Sequence, residues 1–245
     1  MTDTRAPTIL PLPKLHNPDP CHLHPDIPQG SMLLVAPSNS GKTTLLVNLL
    51  LRRVFGVLVH YETIHVLSPT CKSDASWDML QPDTYHPFKL KCADGKKRKT
   101  ADIQLHDVFD EAALERMIKE QQELPRSERK NILLIIDDFA ADFKNTTTMA
   151  RLAMRGRHSK IWLWISTQMY KRIPRTIRVN MPYYIFFAVN AYELKTISAE
   201  LATTSVSEFE NLFNECTSDA FSFFCVNSKL PPRQRYACNF KKISL

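Results

Sequence analysis

The sequence predicts an α/β fold, a mostly parallel sheet covered by helices on both faces, and three observations carry that prediction. From Ser31 onward, short apolar runs alternate with amphipathic stretches. The runs are rich in β-branched and aromatic residues, as strands buried on both faces are. One of them passes straight into a glycine-lysine-threonine turn and an apolar helix. In order, MLLVA, ETIHVLS, NILLIID, KIWLWIST, YYIFFAV and FSFFCVN read as strands, while TTLLVNLLLRRVF, DEAALERMIKEQQEL, TTTMARLAMR, AYELKTISAEL and SEFENLFNEC read as helices. This is the alternation of stacked β-α-β units. The last strands, AFSFFCVN and RQRYACNF, are joined by SKLPP and form an antiparallel C-terminal edge hairpin. Residues 69–100 lack clear periodicity and read as an insertion between the second strand and the next helix.

At 245 residues and 44% hydrophobic content the chain can bury one substantial core. Residues 31–245 read as a single domain, preceded by an irregular arm at 1–30 that holds seven of the 16 prolines. No stretch approaches the roughly 18 unbroken apolar residues of a membrane span, and Asp3 and several prolines stand where a signal peptide would be apolar. A soluble, intracellular protein is expected. The six cysteines are scattered, without metal-site spacing, and read as reduced thiols. Cys21 with His16, His22 and His24 reads as a polar tail in preference to a metal site.

The net charge of +7 is concentrated. No acidic residue occurs between Asp142 and Glu193, where Lys144, Arg151, Arg155, Arg157, Lys160, Lys171, Arg172, Arg175 and Arg178 supply nine positive charges. A second run, KLKCADGKKRK from Lys89 to Lys99, sets six basic residues against Asp94. Such clustering favours an acidic partner.

Three stretches carry chemistry. Ala36, Pro37, Ser38, Asn39, Ser40, Gly41, Lys42, Thr43 and Thr44 span a strand-to-helix turn with the spacing of a Walker A loop, A-x-x-x-x-G-K-T. Such a loop turns backbone N–H groups and a helix N-terminus toward phosphates, uses lysine on the β and γ phosphates of ATP, and places a hydroxyl, here Thr43, on Mg2+. Asn39 is the non-glycine residue most tolerant of positive φ, so a loop with one glycine need not be broken. The strand NILLIID then delivers Asp137 and Asp138 at its C-terminal end, where α/β sheets hold ligands. Asp137 is expected to hold Mg2+. Asp138 is expected to orient the attacking water, since a carboxylate is a weak base. The third stretch, KIWLWIST, leads into Gln168, an amide placed to reach the γ-phosphate or the lytic water. Upstream of it, Arg155, Arg157 and His158 surround Gly156, and a guanidinium there would stabilise transition-state charge in a neighbouring subunit; a solvated basic helix end is the plain alternative.

The ordered set APSNSGKTT, NILLIIDDF and RGRHSKIWLWISTQMYKRIPRTIRVN resembles the poxvirus-type viral genome-packaging ATPases of the FtsK/HerA superfamily, over roughly Ser31 to Phe240. The resemblance implies a RecA-like P-loop NTPase of ASCE type, in which the Gln168 strand lies between the P-loop strand and the Asp137 strand. It also implies a homo-oligomeric ring that drives double-stranded DNA into a preformed capsid, with Gln168 as sensor and Arg157 and His158 in the Arg-His segment. The location implied is the infected host cell and the virion, with a capsid or vertex protein as partner. Ala36 and Asn39 depart from the glycines of the usual loop.

A motor that grips DNA of any sequence contacts phosphates with Lys and Arg. Lys96, Lys97, Arg98, Lys99, Lys171, Arg172, Arg175 and Arg178 are the expected contacts. Two other readings share the P-loop: a kinase acting on a small acceptor, and a nucleotide-binding virion assembly protein that is not a motor.

Overall fold

The computed structural model describes residues 30–243 apart from 53–54, 81–88, 92–96, 100, 140–146 and 204. The strands are β1 (Met32–Val35), β2 (Thr63–Leu67), β3 (Lys89–Lys91), β4 (Lys97–Lys99), β5 (Asp102–His106), β6 (Ile132–Asp137), β7 (Ile161–Thr167), β8 (Tyr183–Phe186), β9 (Phe224–Asn227), β10 (Tyr236–Cys238) and β11 (Lys241–Lys242). The α-helices are α1 (Lys42–Leu51), α2 (Val57–His60), α3 (Ala75–Asp78), α4 (Glu111–Glu123), α5 (Thr147–Arg155), α6 (Arg175–Arg178), α7 (Ala191–Leu201) and α8 (Val206–Cys216). Nine strands form one sheet in the order β11-β10-β9-β8-β1-β7-β6-β2-β5. From β8 to β5 the pairing is parallel; β9, β10 and β11 add antiparallel pairs at the other end.

Alternation along the central strands explains the two layers of core. Met32 and Leu34 of β1 pack with Leu45, Leu46 and Leu49 of α1 on one face, while Leu33 and Val35 pack with Met149, Ile177, Ile197 and Phe209 on the other. Both sets are buried, as period-2 strands between two helical layers require. Helix starts are encoded locally. Asn190 accepts from the Glu193 amide at 2.9 Å, and Ser205 accepts from the Glu208 amide at 3.2 Å.

The β7 strand lies between β1 and β6, as the resemblance implies. The stretch at 69–100 is more than an insertion before a helix. It contains α3 and an antiparallel β3–β4 hairpin, and a parallel strand, β5, follows before α4. Only one side of β5 is covered, so its apolar signal is two residues, Ile103 and Leu105, between polar neighbours. The final strand is shorter than RQRYACNF: a 3-10 turn takes Pro232–Gln234, and Asn239 and Phe240 have φ of 48° and 66°. The 1–29 part of the expected arm lies outside the described residues, as do Cys21 and its neighbouring histidines. Among the described residues no helix is long and apolar enough to cross a membrane.

Candidate functional site

The site is built where β1, β6, β7 and β2 end. Val35 hands the chain to Ala36, whose amide donates to the Thr167 carbonyl at 3.0 Å and fixes the loop against β7. Pro37 to Ser40 then make a tight turn: the Ser40 amide and hydroxyl both donate to the Pro37 carbonyl, at 3.4 and 2.7 Å. Asn39, the third residue of that turn, has φ of 61°, and Gly41 has φ of 90°. Left-handed residues at these two places are what a turn that gathers successive amides around an anion requires. Asn39 takes the conformation for which glycine is usually required. The α1 helix begins at Lys42 with no side-chain cap, the arrangement of a helix N-terminus that can bind an anion.

Four side chains converge on this loop. The Lys42 ammonium is buried, hydrogen-bonded to Asp138 Oδ2, and 3.8 Å from Asp137 Oδ1. Asp138 has φ of 58° and also accepts from Gln168 Nε2 at 3.4 Å. Asp137 is 2% exposed, and its Oδ2 accepts from Ser68 Oγ at 3.2 Å. Its Oδ1 is buried facing the Lys42 ammonium. The hydroxyl of Ser166, the register partner of Asp137 on β7, is buried close enough to favour the charged carboxylate without making a hydrogen bond of good geometry. Burial raises the Asp137 carboxyl above the ordinary carboxylate range, with Lys42 opposing the shift. A buried carboxylate at the end of β6 and a hydroxyl, Thr43, in the first turn of α1 are donor types that suit Mg2+. Ser68 and Ser166 were not among the expected residues. Each is an ordinary strand-end serine, and only the pairing of β2, β6 and β7 brings them to Asp137.

Arg155, Arg157 and His158 are exposed and precede β7, so they sit at the opposite edge of the sheet from Gln168. Gly156 between them is required: a Cβ there would stand 2.4 Å from the Ile161 carbonyl oxygen. They are not brought to the Lys42 site of their own chain.

The expected DNA contacts divide. Arg172 and Arg175 are exposed, and the Lys171 ammonium lies 3.2 Å over the Tyr192 ring. Arg178 is a correction. Its guanidinium makes two bonds to Glu200, at 2.6 and 2.9 Å, donates to the Ile173 carbonyl at 2.8 Å, and stacks on Tyr170. With its side chain 11% exposed, it is a structural clasp and cannot also face a DNA backbone. Bonding to Arg178 holds the Glu200 carboxyl below its ordinary value. Lys97, Arg98 and Lys99 form β4; Lys96 lies outside the described residues.

The fold has solved counterparts. The genome packaging NTPase B204 from Sulfolobus turreted icosahedral virus 2, in complex with AMPPCP, is 15% identical over 86% of this chain and 97% of its own, with a TM-score of 0.55. B204 from Sulfolobus turreted icosahedral virus, described as the DNA-packaging ATPase, is 16% identical over 88% and 98%, with a TM-score of 0.57. The pCW3 conjugation coupling protein TcpA with ATPγS is 15% identical over 88% and 60%, with a TM-score of 0.50. At such identities the likeness shows a shared fold, the mostly parallel α/β sheet of these ATPases. No curated protein sequence matches the chain. The family model described as "Poxvirus A32 protein" matches residues 28–227. That span contains the whole Lys42 site and all of the parallel strands, and the chain belongs to the poxvirus A32 protein family, a family of P-loop ATPases.

Proposed function

We propose that this chain is an ATP-hydrolysing motor that moves viral double-stranded DNA into a preformed capsid. The observation that carries the reading is the convergence of Lys42, Asp137, Asp138 and Gln168 on a loop whose Asn39 and Gly41 are both left-handed. In this reading, residues 31–245 are the ATPase domain and 1–30 an arm available to a capsid or vertex protein. The loop amides not bonded within the turn, together with the α1 N-terminus, would cradle the phosphates. Asp137 and Thr43 would hold Mg2+, which when bound supplies charge neutralisation across the β and γ phosphates. Lys42, which bonds Asp138, is also the side chain placed to reach the β and γ phosphates. Asp138 then holds the attacking water, and Gln168 keeps the carboxylate and the water in line.

Arg155 or Arg157 would serve the next subunit. A heterologous contact that repeats and closes makes a ring, in which one subunit's basic edge meets its neighbour's loop. Lys171, Arg172 and Arg175 are the proposed phosphate contacts, together with Lys96, Lys97, Arg98 and Lys99. Such contacts give grip without reading sequence. The family membership and the DNA-packaging ATPase among the fold counterparts support a virion-associated role in the infected cell.

The test is phosphate release from ATP and Mg2+, with and without duplex DNA. Stimulation by duplexes of unrelated sequence, abolished by Lys42→Ala, is the expected result. Turnover indifferent to DNA and dependent on an added acceptor would instead indicate a kinase. Nucleotide binding without DNA-stimulated turnover would indicate an assembly protein that is not a motor.

A further inference from the structure

Phe221 is 69% exposed, yet its ring lies against the phosphate loop: a Cβ built on Gly41 would stand 3.1 Å from Phe221 Cδ1. The topology explains the meeting. The β9 strand runs antiparallel to β8, with Phe224 opposite Phe186, while Phe186 is the register partner of Val35 at the end of β1. The loop entering β9 therefore arrives at the edge of the sheet where β1 releases the phosphate loop, on the side away from Asp137.

Two further features distinguish Phe221 from an ordinary exposed apolar residue. Its φ is 64°, a region that strains a bulky side chain and tends to persist where surrounding structure enforces it and function uses it. The enforcing structure is present on its C-terminal side. Ser222 donates through its amide and hydroxyl to the Asp219 carbonyl, at 3.1 and 2.7 Å. Phe223 is buried, its amide donates to Asn239 Oδ1 at 2.9 Å, and its carbonyl accepts from the Asn239 amide at 3.0 Å. Phe223 also packs edge-on against Phe240, with ring centroids 4.9 Å apart. Phe221 is thus an aromatic ring held on a rigid support, touching the loop on one side and open to solvent on the other.

We infer that Phe221 is the platform on which the base of the bound nucleoside triphosphate stacks. The inference rests on the nucleotide-binding reading of the Lys42 loop and adds to it the group that holds the base. A planar heteroaromatic ring suits an exposed aromatic face, and stacking of this kind changes affinity about ten-fold or more per base.

The test compares binding of ATP and of inorganic tripolyphosphate, each with Mg2+, to the full chain and to its Phe221→Gly and Phe221→Trp variants. Glycine accepts positive φ and removes only the ring, so the nucleotide-free Phe221→Gly variant should melt no lower than the parent. It should bind ATP about ten-fold more weakly and bind tripolyphosphate as the parent does; Phe221→Trp should retain ATP affinity. Equal loss of ATP and tripolyphosphate binding would make the ring a mere support of the loop and overturn the inference, as would unchanged ATP affinity. A parent protein that bound neither ligand would overturn the nucleotide reading itself.

Discussion

The two edges of the parallel sheet carry opposite kinds of chemistry. At the C-terminal edge, Lys42 and Asp137 are buried and held by Asp138, Gln168 and Ser68, so charge is concentrated where water is scarce. At the opposite edge Arg155, Arg157 and His158 stand exposed around Gly156. The length of β7 separates the two sets, roughly 20 Å at 3.3 Å per residue. An arginine side chain cannot cross that distance. What the difference teaches is that one edge assembles a site within a chain, while the other is out of reach of that site in the same chain.

The largest effect should come from breaking the buried edge. Lys42→Ala or Asp137→Asn is expected to lower ATP hydrolysis by about three orders of magnitude, measured as phosphate release, because each removes a preorganised charge from a water-poor site. Next, replacing the arginine proposed to act in trans, Arg155 or Arg157, by Ala should cost about a hundred-fold in turnover while leaving ATP affinity unchanged. Mixing that variant with Lys42→Ala should restore part of the activity. Each mutant lacks what the other keeps, so mixed interfaces contain some complete sites. Restoration absent at every mixing ratio would contradict the neighbour arrangement.

The smaller effects sharpen the same contrast between engaged and available cations. Arg178→Ala should lower unfolding free energy by about 2 kcal/mol, seen in urea melts, because Glu200 is left without its bidentate partner. It should leave the salt dependence of DNA binding unchanged. Replacing Arg172 should do the reverse, with stability intact and the log–log salt slope reduced by about one. Replacing Arg175, exposed but 3.9 Å from Glu200 Oε1, should lower the slope with a small loss of stability. The smallest effect concerns His65, whose Nδ1 lies 3.2 Å from His106 Nε2 and whose pKa is pushed down to about 4, first by burial and then by His106. The unfolded chain takes up this proton near pH 6.5 and the folded chain only near 4, so stability rises with pH across that window and falls as pH drops through it. Thermal midpoints from pH 7 to 4.5 should decline, and less steeply in His65→Gln.

What could be read from the chain alone follows from how local each signal is. The P-loop strand, turn and helix are contiguous, so Ala36 to Thr44 could be placed on them, and the strand ends that deliver Asp138 and Gln168 were legible as apolar runs stopping at polar residues. Positive φ at Asn39 was foreseeable because few side chains tolerate it. The parts not read are pairwise and distant. Ser68 reaches Asp137 across 69 positions of sequence. Glu200 claims Arg178 from the next helix, which turns a basic residue in an acid-free stretch into a packing element. Strand β5 was missed because a half-covered edge strand needs few apolar residues. Phe221 looks like part of a strand, and only the antiparallel return of β9 carries it to Gly41.

The central claim is that hydrolysis at the buried edge moves DNA. It is tested most directly by ATP-dependent displacement of a triplex-forming strand from a linear duplex. The account predicts displacement by the parent protein with ATP and Mg2+, none with Lys42→Ala, and none without hydrolysable nucleotide. DNA-stimulated phosphate release with the triplex left in place would contradict it.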